Sequence, residues 1–376
     1  MASVQPPIAA EAVTHCLPPT ASRLPDLRIG NVHIGFPVVQ AALSGYSDAA
    51  MRVIARRLGA PYTLCEVLLD QFVNTTGHSK KSNRRLHVAD EEHPVGGQSM
   101  GANPDDFAPA AQRLVQAGFD IIDINFGCPV KKVLGRCRGG FLLGQVETAL
   151  EIVSRVRAAV PPHIPVTVKM RRGLDDSAAS RDKFFTIFDG AFHRGVAAIT
   201  VHGRTVEQRY VGASSWDFLR EVKQHAGQRT VLGSGDLFTP QACLEMLRYT
   251  GVDGVTVARG AIGNPWIFSQ VCALAAPGAP GLPDPPRLHE QRRIIAEHYR
   301  LAAEIYGPEA CGRQMRKFGI KYSRLHPESL KVRDAFIAVR RPHELQQVLE
   351  AYYAEDLPGR HPELDVDETA ECEVVE

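Results

Sequence analysis

Eight short apolar runs recur along the chain: Phe36–Leu43, Tyr62–Val67, Val95–Met100, Ile121–Asn125, Val166–Met170, Ala198–His202, Thr230–Ser234 and Gly254–Ala258. Most are continuous rather than alternating, as parallel strands buried on both faces require. The segments between them have helical periodicity. Asp105–Ala117 sets Phe107, Ala110, Ala111, Leu114 and Val115 at spacings of three and four, and Thr148–Val160 and Pro240–Tyr249 behave likewise. Eight strand-and-helix units over about 240 residues predict an α/β fold, a (β/α)8 TIM barrel rather than a doubly wound sheet.

The barrel is expected over residues 31–275. The stretch Pro277–Pro286 (PGAPGLPDPP) breaks both periodicities, so residues 276–287 read as a Pro-rich linker. Residues 288–354 keep long helical patterns without a strand run, and predict a small all-helical C-terminal domain. Residues 1–30 are Pro-rich without periodicity and are expected to be loosely ordered. Residues 355–376 form an acidic tail expected to stay disordered.

Composition adds exclusions. With 44% hydrophobic and 23% charged residues, the chain has material for a large core and is not wholly disordered. No apolar stretch approaches the roughly 18 residues that cross a bilayer, so no membrane association is expected. Met1–Pro19 lacks the charged and apolar regions of a secretory signal. The eight cysteines include no CxxC pair, which argues against a zinc module; no metal is expected, and scattered thiols suit a reduced, cytoplasmic protein. The net charge of +1 conceals an asymmetry, because the tail from Glu355 holds nine acids against Arg360 alone. A basic body permits a polyanionic partner, although a merely solubilising tail explains the same charge.

Chemistry in such barrels is built where strands run out into loops. Those ends read Ala42-Leu43-Ser44, Gln98, Asn125-Phe126-Gly127-Cys128, Lys169, His202-Gly203-Arg204, Ser234-Gly235-Asp236 and Ala258-Arg259-Gly260. Gly233, Gly235 and Gly260 let backbone N–H groups approach an anion, and a short helix beginning near Gly260 would add its positive end. Arg259 adds a charge-assisted donor, which suits the phosphate site common after the last two strands. Lys169 would either be a solvated rim charge or stabilise an anion inside the mouth, while His202 by itself reads as a core or rim histidine. Cys128 is a small hydrophobe or, on a loop bent into the mouth, a proton donor.

At this point several motifs resemble the tRNA-dihydrouridine synthases, and most closely their bacterial B-type members. They are Asp123-Ile124-Asn125-Phe126-Gly127-Cys128-Pro129-Val130-Lys131-Lys132-Val133, Val166–Arg171, Val201–Thr205 and Gly263–Phe268, within a likeness spanning Phe36 to Tyr353. The resemblance implies reduction of uridines in tRNA with FMN, reduced in turn by NADPH or NADH. It places Ala42, Leu43, Ser44, Gln98, Lys169, His202, Ser234, Gly235, Asp236, Ala258 and Arg259 around FMN, makes Cys128 the proton donor, and sets Asn125 beside the flavin and the uracil. The family's proline-methionine is Ala42-Leu43 here, its asparagine is Ser234 and its glycine is Ala258; these departures predict looser flavin binding.

A uridine in folded RNA must be extruded to reach a barrel mouth, at a cost of a few kcal/mol that phosphate contacts offset. The expected substrate contacts are Asn125, Lys131, Lys132, Arg171, Arg204, Arg313, Arg316, Lys317 and Lys321. Basic clusters stand at Lys80, Lys81, Arg84 and Arg85, at Lys131, Lys132, Arg136 and Arg138, and along Arg313, Arg316, Lys317, Lys321 and Arg324, which share one helix face. A solvated surface is the plainer reading of such a stripe. A monomer is expected. Two rival readings remain: a flavin barrel acting on a small pyrimidine-like substrate, and a flavin-less RNA-binding homologue.

Overall fold

The structure, a computed structural model, describes residues 24–75 and 84–363. Lys80 and Lys81, most of the N-terminal extension and the end of the acidic tail lie outside them. A hairpin of β1 (Leu27–Ile29) and β2 (Val32–Gly35) precedes the parallel strands β3 (Val38–Gln40), β4 (Thr63–Leu64), β5 (Leu68–Leu69), β6 (Val95–Met100), β7 (Ile121–Phe126), β8 (Val166–Arg171), β9 (Ala198–His202), β10 (Thr230–Ser234) and β11 (Gly254–Val257). β11 pairs with β3, and β4 joins β3 to β6, which closes the ring into the expected TIM barrel. Of the second expected strand, Tyr62–Val67, only Thr63–Leu64 forms β4; β5 follows just beyond its end, and the two share one of eight positions in the ring. Between them the Cys65 thiol accepts the Gln98 N–H at 3.2 Å.

The helices of the barrel are α1 (Ala49–Arg57), α2 (Asp70–Thr75), α3 (Pro104–Gln116), α4 (Lys131–Leu134), α5 (Val146–Ala159), α6 (Ala178–His193), α7 (Trp216–Ala226), α8 (Pro240–Thr250) and α9 (Ile267–Ala275). Asp48, Asn103, Ser177, Ser215 and Thr239 each cap one of them by accepting an N–H that the helix leaves unpaired. β8 shows how the barrel sorts its residues. Val166, Val168 and Met170 are fully buried against the helices, while Thr167, Lys169 and Arg171 turn inward.

Inside the barrel the layers change in character. At the N-terminal ends of the strands, Leu27, Ile29 and Ile34 of the hairpin pack with Val39, Ile121, Ala198 and Leu232 as an apolar plug. The hairpin corrects the expectation of loose order through residue 30, because its alternating apolar positions have a barrel floor to bury against. Above the plug lies a polar layer of Gln98, Asp123 and Thr167, and above that the mouth.

Beyond residues 276–287, which hold no regular element, come α10 (Leu288–Tyr306), α11 (Pro308–Tyr322), α12 (Ser329–Ala338) and α13 (Pro342–Tyr352). This helical region packs directly on the barrel. Trp266 Nε1 donates to Glu290 at 2.6 Å, Arg57 pairs with Glu297 at 2.6 Å, and Tyr46 meets Phe318 edge-on at 5.5 Å. The start of the acidic tail is docked as well, contrary to expectation. Arg287 holds Asp356 at 2.7 Å, and the Leu288 and Arg360 N–H groups donate to Leu357 and Leu325.

Candidate active site

A cavity opens at the C-terminal mouth of the barrel, lined by the ends of its strands and the loops that follow them. Ten of the eleven positions expected to surround the cofactor line it, and Gln98 does not. That side chain is 1% exposed and lies in the polar layer, donating to Asp123 at 2.6 Å and accepting from Asn125 at 2.7 Å. Register brings the others together. Asn125 stands opposite Lys169, Arg171 opposite His202, and His202 opposite Ser234.

Lys169 is the strongest electrostatic feature. Burial pushes its pKa down to about 8, Arg171 adding to the shift and Asp123 and Cys128 opposing it. Among the described residues its ammonium has no hydrogen-bond or ion-pair partner. His202 is likewise held neutral by burial, with Arg171, Lys169, Arg204 and Arg259 reinforcing it. Its Nδ1 accepts the Arg204 N–H at 3.1 Å, so Nε2 carries the proton.

Cys128 follows β7 on a loop whose shape is set by Asn125. The Asn125 carboxamide oxygen accepts the N–H groups of Gly127 at 2.9 Å and Cys128 at 3.1 Å. The Cys128 carbonyl in turn accepts the Gly140 N–H at 3.0 Å. Asn125 was expected beside the substrate, and it does line the cavity, but every polar atom of its side chain is already engaged in positioning that loop.

Behind β10, Gly235 has φ +121° and Asp236 φ +59°, a turn that exposes backbone to the cavity. A Cβ on Gly260 would stand 2.2 Å from the Leu237 carbonyl, so the loops after β10 and β11 touch backbone to backbone. The short helix expected near Gly260 is a single 3-10 turn, Arg259–Ala261. Arg259 lies over Tyr210 and Phe238, each at 5.0 Å. Tyr210 escaped the sequence reading, since no motif marks it. It sits between Arg259 and Arg171, its ring 5.5 Å from the latter.

Two expected substrate arginines are bonded to loop carbonyls, and Arg171 also lines the cavity. Arg171 is 3% exposed and donates to the carbonyls of Gly127 at 3.0 Å, Thr205 at 2.7 Å and Arg209 at 2.6 Å, fastening two loops together. Arg204 is 1% exposed and holds the Gly212 carbonyl and the Asp236 carboxylate, away from the opening. In both cases loop carbonyls with no other donor capture a guanidinium that its sequence neighbours left unassigned. Lys131, Lys132 and Arg313 are exposed, and Arg316 and Lys321 half-buried. Lys317 reaches back to the Gly45 carbonyl and lies over Tyr46 and Phe318 at 5.0 and 5.2 Å.

A closed parallel barrel with a cavity at the C-terminal ends of its strands, lined by a buried lysine and by glycines after the last two strands, has the architecture of a TIM-barrel enzyme. The chain belongs to the dihydrouridine synthase (Dus) family, whose profile it matches over residues 39–356. It is 34% identical over 340 residues to tRNA-dihydrouridine synthase B of Xanthomonas campestris pv. campestris, covering 90% of this chain and 99% of that one. A probable tRNA-dihydrouridine synthase of Mycobacterium tuberculosis (strain CDC 1551 / Oshkosh) is 33% identical over 338 residues, 87% of this chain and 84% of the relative. Among solved structures, histamine dehydrogenase from Rhizobium sp. 4-9 superposes with a TM-score of 0.52 at 15% identity, over 73% of this chain and 50% of that one. A 2-naphthoyl-CoA reductase complex gives 0.51 at 11%, over 65% and 51%. These last two likenesses concern the barrel fold.

Proposed function

We propose that this protein reduces uridines in tRNA to 5,6-dihydrouridine with FMN as electron carrier. The observation that carries the reading is the match to the dihydrouridine synthase family across barrel and helical region together. The mouth suits the cofactor: backbone close enough at Gly260 to exclude a Cβ, and a buried cation at Lys169 without a partner. Gly235, Gly260 and Arg259 would hold the phosphate, and Lys169 and His202 Nε2–H would face the ring.

Bound and reduced, the flavin supplies the hydride that saturates the uracil C5=C6 bond at C6. The chain supplies the rest. Cys128, at the edge of the cavity, holds the proton for C5, and the Asn125 clamp keeps its loop in place. Arg171, fastened to the Gly127 carbonyl beside Cys128, and Tyr210 line the same cavity. Lys131, Lys132, Arg313 and Arg316 offer cations to phosphates. We assign the reductant to NADPH or NADH, the working form to a monomer without metal, and the compartment to the cytoplasm. Among the described residues no helix is long and apolar enough to cross a membrane.

The test is Cys128→Ala in a strain lacking the gene, with dihydrouridine in bulk tRNA read by mass spectrometry. The expected result is a protein that binds FMN and is reduced by a nicotinamide cofactor, yet restores under about 1% of the dihydrouridine that wild type restores. Full restoration by the variant would remove Cys128 from the reaction.

A further inference from the structure

The polar layer beneath the mouth has a direction. At one end, the N–H groups of Gly127 and Cys128 can only donate, so Asn125 must present its carboxamide oxygen to them. Its Nδ2 then donates to Gln98 Oε1 at 2.7 Å, which turns Gln98 Nε2 toward Asp123 at 2.6 Å. At the other end, the Asp123 carboxylate can only accept, and Thr167 donates to its second oxygen. Each amide in the row therefore has one permitted orientation, set from both ends. All three side chains are at most 5% exposed, and both amides spend their hydrogen bonds within the row and on the Cys128 loop.

We propose that Asp123 is a positioning residue for Cys128, acting through Gln98 and Asn125. It touches neither the cavity nor the thiol; it fixes which face of Asn125 the Cys128 loop meets. An amide in its place could present a donor to Gln98, inverting Gln98 and Asn125 in turn and withdrawing the acceptor from the loop. The register places Asp123 opposite Gln98 on one side and Thr167 on the other, and Asn125 opposite Lys169, so the row bridges β6, β7 and β8, whose ends reach the site. Its kinetic consequence rests on the reading of Cys128 as proton donor; its geometric consequence does not.

The experiment compares wild type with Asp123→Asn and Asp123→Ala in four readouts: flavin content, kcat and KM on a tRNA transcript, the solvent deuterium isotope effect on kcat, and the rate at which iodoacetamide labels Cys128, mapped by peptide mass spectrometry. For Asp123→Asn, flavin content and KM should stay within about twofold, while kcat falls about five- to tenfold and the isotope effect rises, because proton delivery slows. Labelling of Cys128 should rise at least about threefold as its loop loosens. Asp123→Ala should move the same readouts further. If it does not fold, the asparagine variant decides alone. Unchanged kcat, isotope effect and labelling would overturn the proposal, as would a kcat that falls only in step with flavin content. Should wild type form no dihydrouridine, the labelling and flavin readouts still decide the role of Asp123 while the proposed reaction fails separately.

Discussion

The Tyr306 hydroxyl donates to the Asp48 carboxylate at 2.8 Å, joining the end of α10 to the first turn of α1. Gln314 Nε2 of α11 donates to the same oxygen at 3.3 Å, while the other oxygen of Asp48 caps α1 by accepting the Met51 N–H at 3.0 Å. One buried carboxylate thus holds a barrel helix and two helices of the C-terminal region. Asp48→Ala removes a cap, costing about 1 kcal/mol, and strands the Tyr306 hydroxyl, costing about 1–3 more. A stability loss of roughly 2–4 kcal/mol is expected in urea denaturation, against about 1 for Tyr306→Phe. Flavin content should hold in both, since Asp48 lies outside the cavity. Equal denaturation midpoints for wild type and Asp48→Ala would disprove the anchor.

Lys169 gives the pH dependence of cofactor binding a sign. The folded, cofactor-free protein releases this proton near pH 8, whereas the ordinary value is 10.5. Below pH 8 both states carry it, and keeping the charge buried costs roughly 3 kcal/mol. Between those two values the unfolded chain binds more protons, so this group's contribution makes stability rise with pH. Affinity for an anionic cofactor moves oppositely, because the attracting charge disappears. FMN affinity, titrated from about pH 6.5 to about 9.5, should be level at first and then fall by up to about tenfold per unit above 8. Lys169→Met should bind weakly with no break near 8. A break that persists in the methionine variant would assign the titration to another group.

The backbone contact at Gly260 is directly testable. A Cβ there would stand 2.2 Å from the Leu237 carbonyl and 3.0 Å from Phe238 Cα, neither of which is the free end of a side chain. Gly260→Ala must therefore part the loops after β10 and β11. The expected outcome is a folded protein with unaltered far-ultraviolet circular dichroism and at least about a tenfold loss in FMN affinity, since N–H groups aimed at a phosphate work only at short range. Retention of wild-type affinity would mean that the phosphate sits elsewhere.

The parallel strands were readable because burial on both faces writes them as unbroken apolar runs, and Val166–Arg171 shows it, ending one residue from where its run does. The hairpin was not, since Leu27–Ile29 is three residues long and is held by a floor assembled from distant strands. The glycine turns, Lys169 and Cys128 stood at strand ends, where local order suffices to find them. Arg171 and Arg204 show the limit. A guanidinium written beside a strand end reads as a reach toward substrate, and only the fold discloses which carbonyls take it. Asp356 and Leu357 lie in an acidic segment whose composition suggested disorder, yet two contacts to the start of α10 dock it.

The basic stripe of α11 divides into two kinds of cation, and the division predicts different mutant behaviour. Arg313 is exposed and Arg316 half-buried, and neither has a partner among the described residues. Lys317, by contrast, spans Tyr46, Phe318 and the Gly45 carbonyl, and burial lowers its pKa although Asp48 and Glu66 oppose the shift. Of these three, the first two are open to phosphates. Each phosphate contact adds about 0.7–0.9 to the slope of log affinity against log salt. The double variant Arg313→Gln/Arg316→Gln should therefore flatten the slope for tRNA by about 1.5 and weaken binding about tenfold near physiological salt, with unfolding midpoint and flavin content unchanged. Lys317→Gln should lower the unfolding midpoint and leave the slope within about 0.3 of wild type, because the charge it removes faces the barrel. Filter-binding titrations at four salt concentrations, beside urea melts, separate the two. If Lys317→Gln flattens the slope as much as the double variant does and melts like wild type, Lys317 releases its barrel contacts to meet RNA and the division fails.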